Sequence, residues 1–289
     1  MRAVRRDVPV TLLIVASLAL AIGFNAAVFS FFHTLILSKL PYAHSDRLVT
    51  LWSSNEEFSR RVQKMTGASV ARKLLPVSPA DARDWIKHSA AFEALAVYRD
   101  QRFNIDNTYE PIQVVGLTAE ANLFEVLGVQ PVLGTLMFSE AESGGDANIV
   151  VLGHSLWQRA FAGHRDVLGK EISLNNEKFR VIGIAPAGVV FPRESEVWIP
   201  LRISGDLAEN RQRRGFEAVA RLRPGATISE AQAAVSTITS RLQTEYPLTN
   251  DGWAATVVPL RSWLVGNTGR VTVILVWAVA LITAIASGN

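Results

Sequence analysis

The chain has 289 residues, 49% of them hydrophobic and 19% charged, a net charge of +3 and no cysteine. That much charge excludes a protein that crosses a bilayer along its whole length, and the missing cysteine excludes disulfides, thiolate nucleophiles, redox pairs and cysteine-ligated zinc. Residues 2–7 hold three arginines and one aspartate, which is +2 of the +3, so the rest of the chain has no basic face for nucleic acid.

Residues 8–32 contain no Asp, Glu, Lys, Arg or His, and the apolar run continues past His33 to Leu37. As a helix, residues 8–32 span ~37 Å, more than a hydrocarbon core of about 30 Å. A secretory signal has an apolar region of only about 7 to 15 residues and a small-x-small cleavage site, which is missing here. The expectation is a transmembrane helix at residues 8–37. The arginines of residues 1–7 place the N-terminus in the cytoplasm and the body outside. Ala19, Gly23 and Ala27 fall on one helix face and Asn25 adds a polar group, which makes these four the candidate site for helix packing in a membrane bundle.

Pro41 stops the span, Ser45-Asp46 marks a turn, and Leu48 to Trp52 reads as the first strand. Residues 55–75 are polar and read as a solvated loop. Ser78-Pro79-Ala80-Asp81 offers an N-cap, proline at the first helical position and an acid at the positive helix end, ahead of a short helix carrying Trp85 and Ile86. Residues 92–98 and 112–117 are strand candidates with a turn at Asp106-Asn107, and residues 119–127 read as a helix closed by Gly128.

Residues 149–152 form an apolar strand, after which Ser155 is expected to cap a helix at residues 156–162. Ile172 and Leu174, Asn175-Asn176, and Phe179, Val181 and Ile182 predict a β-hairpin, and residues 197–201 another strand. Residues 216–222 predict a strand and Pro224-Gly225 a turn. Thr227 with Glu230 predicts a capping box before a helix with Ile228, Ala231, Val235, Ile238, Leu242 and Tyr246 on one face, stopped at Pro247. Residues 253–258 predict a last strand. Residues 271–289 are again free of charge but span only ~25 Å to Ser287. They are expected to be an incomplete second transmembrane helix, in a chain cut inside or just after it.

Enzyme motifs fail on their chemistry. Gly153-His154-Ser155 stands between a strand and a helix, yet the nucleophile-elbow pattern needs glycine where Trp157 stands. Residues 163–170 have five residues between glycines where a phosphate loop has four, and Glu171 replaces the magnesium-binding hydroxyl. His33, His44, His88, His154 and His164 lack ligand spacing, and Glu56-Glu57 and Glu140 with Glu142 read as solvated. No catalytic residue, metal site or cofactor is expected.

The order of parts, with AIGFNAAVFS in the span, the exit LPYAHSDRLVTLW, the helix start VSPADARDW, then ANLFEVLGVQPVLGTLMF and VVLGHSLWQRAFAG with DVLGKEISLNNEKFRVIGIAP, resembles the MacB-like periplasmic core domain of FtsX-like ABC transporter permeases. The look is nearest to the large bacterial permeases in which the unit of span, ectodomain and three spans is duplicated. The resemblance implies a plasma (inner) membrane protein that is not itself an enzyme. Its partners would be the lipid bilayer, a cytoplasmic ABC ATPase subunit that hydrolyses ATP, a periplasmic partner protein and a homodimer mate. Its task would be efflux or mechanotransmission. The expected fold class is a membrane protein with an α+β extracytoplasmic domain of two subdomains, mixed sheets and short helices. The expected division is 1–7 cytoplasmic, 8–37 transmembrane, 40–268 periplasmic core with a β-rich inserted part at about 130–200, and 271–289 transmembrane. A membrane-anchored extracytoplasmic sensor or scaffold without an ATPase partner is the alternative.

Overall fold

The computed structural model of the protein describes residue 23 and residues 40–66, 74–105, 112–136, 148–189, 191–192 and 195–265. Apart from Gly23, both expected transmembrane segments lie outside the described residues, as do the turn at Asp106-Asn107, His33, Glu140 and Glu142. Among the described residues no helix is long and apolar enough to cross a membrane. The folded body runs from Pro41 to Arg261.

Ten strands join in one mixed sheet: β1 Leu48–Ser54, β2 Phe92–Ile105, β3 Ile112–Ala119, β4 Leu133–Gly134, β5 Ile149–Leu152, β6 Glu171–Leu174, β7 Glu177–Ile184, β8 Val197–Pro200, β9 Glu217–Leu222 and β10 Ala254–Pro259. The spatial order is β10-β1-β9-β2-β3-β8-β5-β7-β4, with β6 on β2 and β7. Among the described residues the main helices are α1 Glu56–Thr66, α2 Pro79–His88, α3 Leu123–Leu127, α4 His154–Phe161, α5 Ile228–Glu245 and α6 Pro247–Asn250, beside short helical segments at Asp206–Glu209 and Leu260–Val265.

The first four positions of that order explain the architecture. β9 is antiparallel to both β1 and β2, and β1 is antiparallel to β10. Hence β1 runs parallel to β2 and β9 parallel to β10, each pair split by a strand of the other. These are two interleaved split βαβ units, the ferredoxin-like pattern, with β3 to β8 inserted between its second and third strands. Trp85 of α2 and Ala231, Val235, Ile238 and Leu242 of α5 pack on Val49, Leu51, Leu95, Val97, Ala218 and Ala220 as one core. Each buried Val, Leu or Ile side chain among them contributes roughly 1.5–3 kcal/mol.

β2 carries the chain out of that core. Its first half lies in it, while Phe103 and Ile105 belong to a second core with Leu156, Trp157, Ile172, Phe179, Val181 and Val197. Fourteen residues of strand therefore serve two cores, and the expected mixed sheets are one mixed sheet for this reason. The β6–β7 hairpin forms as predicted, with Asn175 and Asn176 at φ 52° and 65°. Its tip is fixed by Asn104, whose N–H donates to Asn175 Oδ1 at 2.8 Å.

Several sequence expectations need correction. Residues 55–75 do not form a loop throughout, because α1 occupies 56–66. Asn55 Oδ1 accepts from Phe58 N at 2.8 Å, and Glu56–Arg60 and Glu57–Arg61 pair one helical turn apart, so local capping and ion pairs supply what the apolar period did not. The cap of α4 is Gly153, and Ser155 sits inside its first turn. α3 starts at Leu123, since Ala119 still pairs with Tyr98 in the sheet. On α5, Ile228 and Tyr246 are exposed and Thr239 is buried, accepting from Trp85 Nε1 at 3.3 Å. The capping box forms as expected, with Thr227 N donating to Glu230 Oε2 at 2.7 Å and Glu230 N to Thr227 Oγ1 at 3.2 Å.

Candidate functional site

Val49 stands opposite Pro259, so the chain enters β1 and leaves β10 at one end of the sheet. Two arginines hold the loop at that end. Arg47 donates from Nε to the Leu222 carbonyl at 2.8 Å and pairs with Glu93. Arg221, in the central strand β9, donates from Nε to the Val126 carbonyl at 2.9 Å and from Nη1 to the Ala43 carbonyl at 2.8 Å. Burial lowers the pKa of Arg221, and repulsion from Arg47 acts the same way.

An ionic node lies on the helix-covered side. Asp81 accepts from Arg211 Nη1 and Arg214 Nη1, both at 2.7 Å, and from Asn250 Nδ2 at 3.0 Å. Asp84 takes the other arm of Arg211 at 2.7 Å. The two guanidiniums stack on Tyr246 and Trp253, 4.0 and 3.9 Å from the ring centroids. Burial opposes the charge on Arg211, yet the hydrogen bonds it donates to Asp81 and Asp84 hold its pKa above the ordinary value. For Arg214 burial wins and lowers it. Because both arginines come from the segment returning from β8 to β9, Asp81 ties that segment to α2 and α6. In sequence Asp81 showed only as a helix-terminus acid, and no spacing pointed to its partners, which are 130 and 133 residues away.

The middle of the sheet borders a cavity of about 1080 Å³. Asp100, Arg102, His154, Ser155, Arg159 and Glu196 are on its wall. Ser155 Oγ donates to Glu196 Oε1 at 3.4 Å, and Arg159 pairs with the same carboxylate at 2.9 Å. His154 packs edge-on against Trp157, with ring centroids 5.6 Å apart, so the parts of a nucleophile relay are close in sequence and not aligned. In residues 163–170, Lys170 pairs with Asp166 at 2.7 Å and the chain passes into β6, where a phosphate loop would open a helix. Among the described residues no three metal-ligating side chains converge.

Of the four residues expected to pack membrane helices, Gly23 is helical and exposed, with nothing within 4 Å of the place a Cβ would take. Ala19, Asn25 and Ala27 lie outside the described residues.

The family model of the MacB-like periplasmic core domain matches residues 11–238. Three solved structures share the fold. A domain of a protein described as a permease from Porphyromonas gingivalis is 16% identical, with a TM-score of 0.55, 75% of this chain covered and 92% of that one. The periplasmic region of MacB from Actinobacillus actinomycetemcomitans is 15% identical, with a TM-score of 0.51 and coverage of 73% and 89%. The extracellular domain of the noncanonic ABC-type transporter YknZ from Gram-positive bacteria is 11% identical, with a TM-score of 0.51 and coverage of 72% and 99%. No curated protein matches the chain.

Proposed function

Because the chain belongs to the family of MacB-like periplasmic core domains, we propose that it works as permease machinery of an FtsX-like ABC transporter, coupling ATP-driven helix motion to a periplasmic body. The one observation that carries the coupling is the register of Val49 with Pro259: whatever moves residues 47 and 260 moves the neighbouring strands β1 and β10 together from one end of the sheet. A cytoplasmic ATPase would supply the energy, the helices at 8–37 and 271–289 would transmit it, and Ala19, Gly23, Asn25 and Ala27 would let the first helix pack closely. The core at 40–268 would work outside the membrane, on efflux or as a mechanotransmitter, with residues 1–7 in the cytoplasm.

Reconstitution of the protein in lipid with candidate ABC ATPases tests this reading. The expected result is stimulated ATP hydrolysis that disappears when the body is locked, and no stimulation with any ATPase would sink it. Orientation is checked separately, since protease added to intact spheroplasts should cut the body.

A further inference from the structure

Arg221 is a buried cation in a place where packing alone would not put one. It is 5% exposed, lies between Leu48 and Ala94 in the middle of the ferredoxin-like half, and points away from the face that α2 and α5 cover. Among the described residues no carboxylate bonds to it directly, and Asp46 acts on it only through space. Its contacts are carbonyl oxygens: Val126 in the last turn of α3, Ala43, and His44 at 3.4 Å. Nη2 is buried without a hydrogen bond. An apolar side chain of similar volume would avoid the desolvation of a guanidinium. What it could not do is bond two separate loops at once, one on each side of a rigid fork. The carbonyl end of α3 supplies the negative partial charge that a carboxylate would otherwise give.

Both loops matter for position. Residues 41–47 are the segment by which the chain enters β1, and α3 follows β3, the first strand of the inserted half. Gly128 closes α3 at φ +67°, and a Cβ there would lie 3.0 Å from Nη2 and 3.1 Å from Ala43 Cβ, so the three backbones meet around this one side chain.

We propose that Arg221 is the positioning residue that makes the entry loop and the α3 corner move as one body with the central strand. Displacement arriving at residue 41 then reaches the inserted half without dissipating in the loop. Its significance rests on the coupling role of the body, and its test does not.

The chain has no cysteine, which permits clean spin labelling of the full-length protein in lipid at Asp46→Cys and Glu125→Cys, both exposed positions. Lys87→Cys with Thr237→Cys, exposed on α2 and α5, gives a control distance across the other face. The 46–125 distance distribution, read by pulsed electron resonance without nucleotide, is expected to be narrow. Arg221→Leu should widen it roughly twofold while the control distance holds, because loss of the fork frees a low-stability loop. Arg221→Lys, which keeps the charge and loses the two-armed fork, should widen it too and carries the test if Arg221→Leu does not fold. A merely structural arginine would lower the melting temperature and leave the 46–125 distribution of folded molecules unchanged, and that outcome overturns the proposal. Failure of ATPase stimulation alone would count against the coupling reading and leave this result standing.

Discussion

Single side chains in this protein hold together segments that are far apart in the chain, and the heaviest case is Asp81. Its carboxylate is 3% exposed and neutralises Arg211 and Arg214, themselves 11% and 7% exposed. Replacing Asp81 with Ala leaves the buried Arg214 without a carboxylate and Arg211 with Asp84 alone, so stability should fall by about 3–5 kcal/mol, measurable by urea denaturation. Glu230 gives a pH signature. Hydrogen bonds from the Thr227 backbone and then its hydroxyl lower the Glu230 pKa below its ordinary 4.5. A carboxylate depressed in the folded state adds stability above the unfolded value and loses it as pH falls through the folded one. Thermal melts should therefore show a contribution present above pH 4.5 and fading below it, and Thr227→Ala should abolish that part of the profile.

Elements carry a second kind of device. β10 ends the sheet, and an open edge invites pairing with another chain. Gln232 of α5 closes it: Oε1 accepts from Val257 N at 2.8 Å and Nε2 donates to the Ala255 carbonyl at 3.0 Å, as a neighbouring strand would. Gln232→Ala should cost about 1–3 kcal/mol from the unpaired backbone groups and raise self-association in sedimentation, whereas unchanged self-association would mean that the helix alone shields the edge. α1 shows how an element escaped notice: its Phe58, Val62 and Met65 do recur on one face, but Phe58 and Met65 are exposed, so no deep core enforces the stripe.

At the scale of the molecule, the long strand β2 is the continuous member between two cores. Trp85→Ala in the first core and Leu156→Ala in the second should each lower stability, by about 3–5 and 2–5 kcal/mol. Both should shift one unfolding transition, because β2 cannot lose one half of its pairing and keep the other in place. Separate transitions by tryptophan fluorescence and circular dichroism would refute that unity. The sequence by itself determined what is local. The capping box at Thr227, the hairpin at Asn175-Asn176, the Ser78-Pro79 helix start and most strands come from a few neighbouring residues whose backbone preferences need no distant partner. Only the tertiary structure decided the rest: that β9 threads between β1 and β2, that Asp81 finds arginines 130 and 133 residues away, and that Arg221 grips carbonyls rather than a carboxylate. A buried charge chooses its partner by where the strand order brings the chain, and that order is set by burying both cores at once, which no short window of residues encodes.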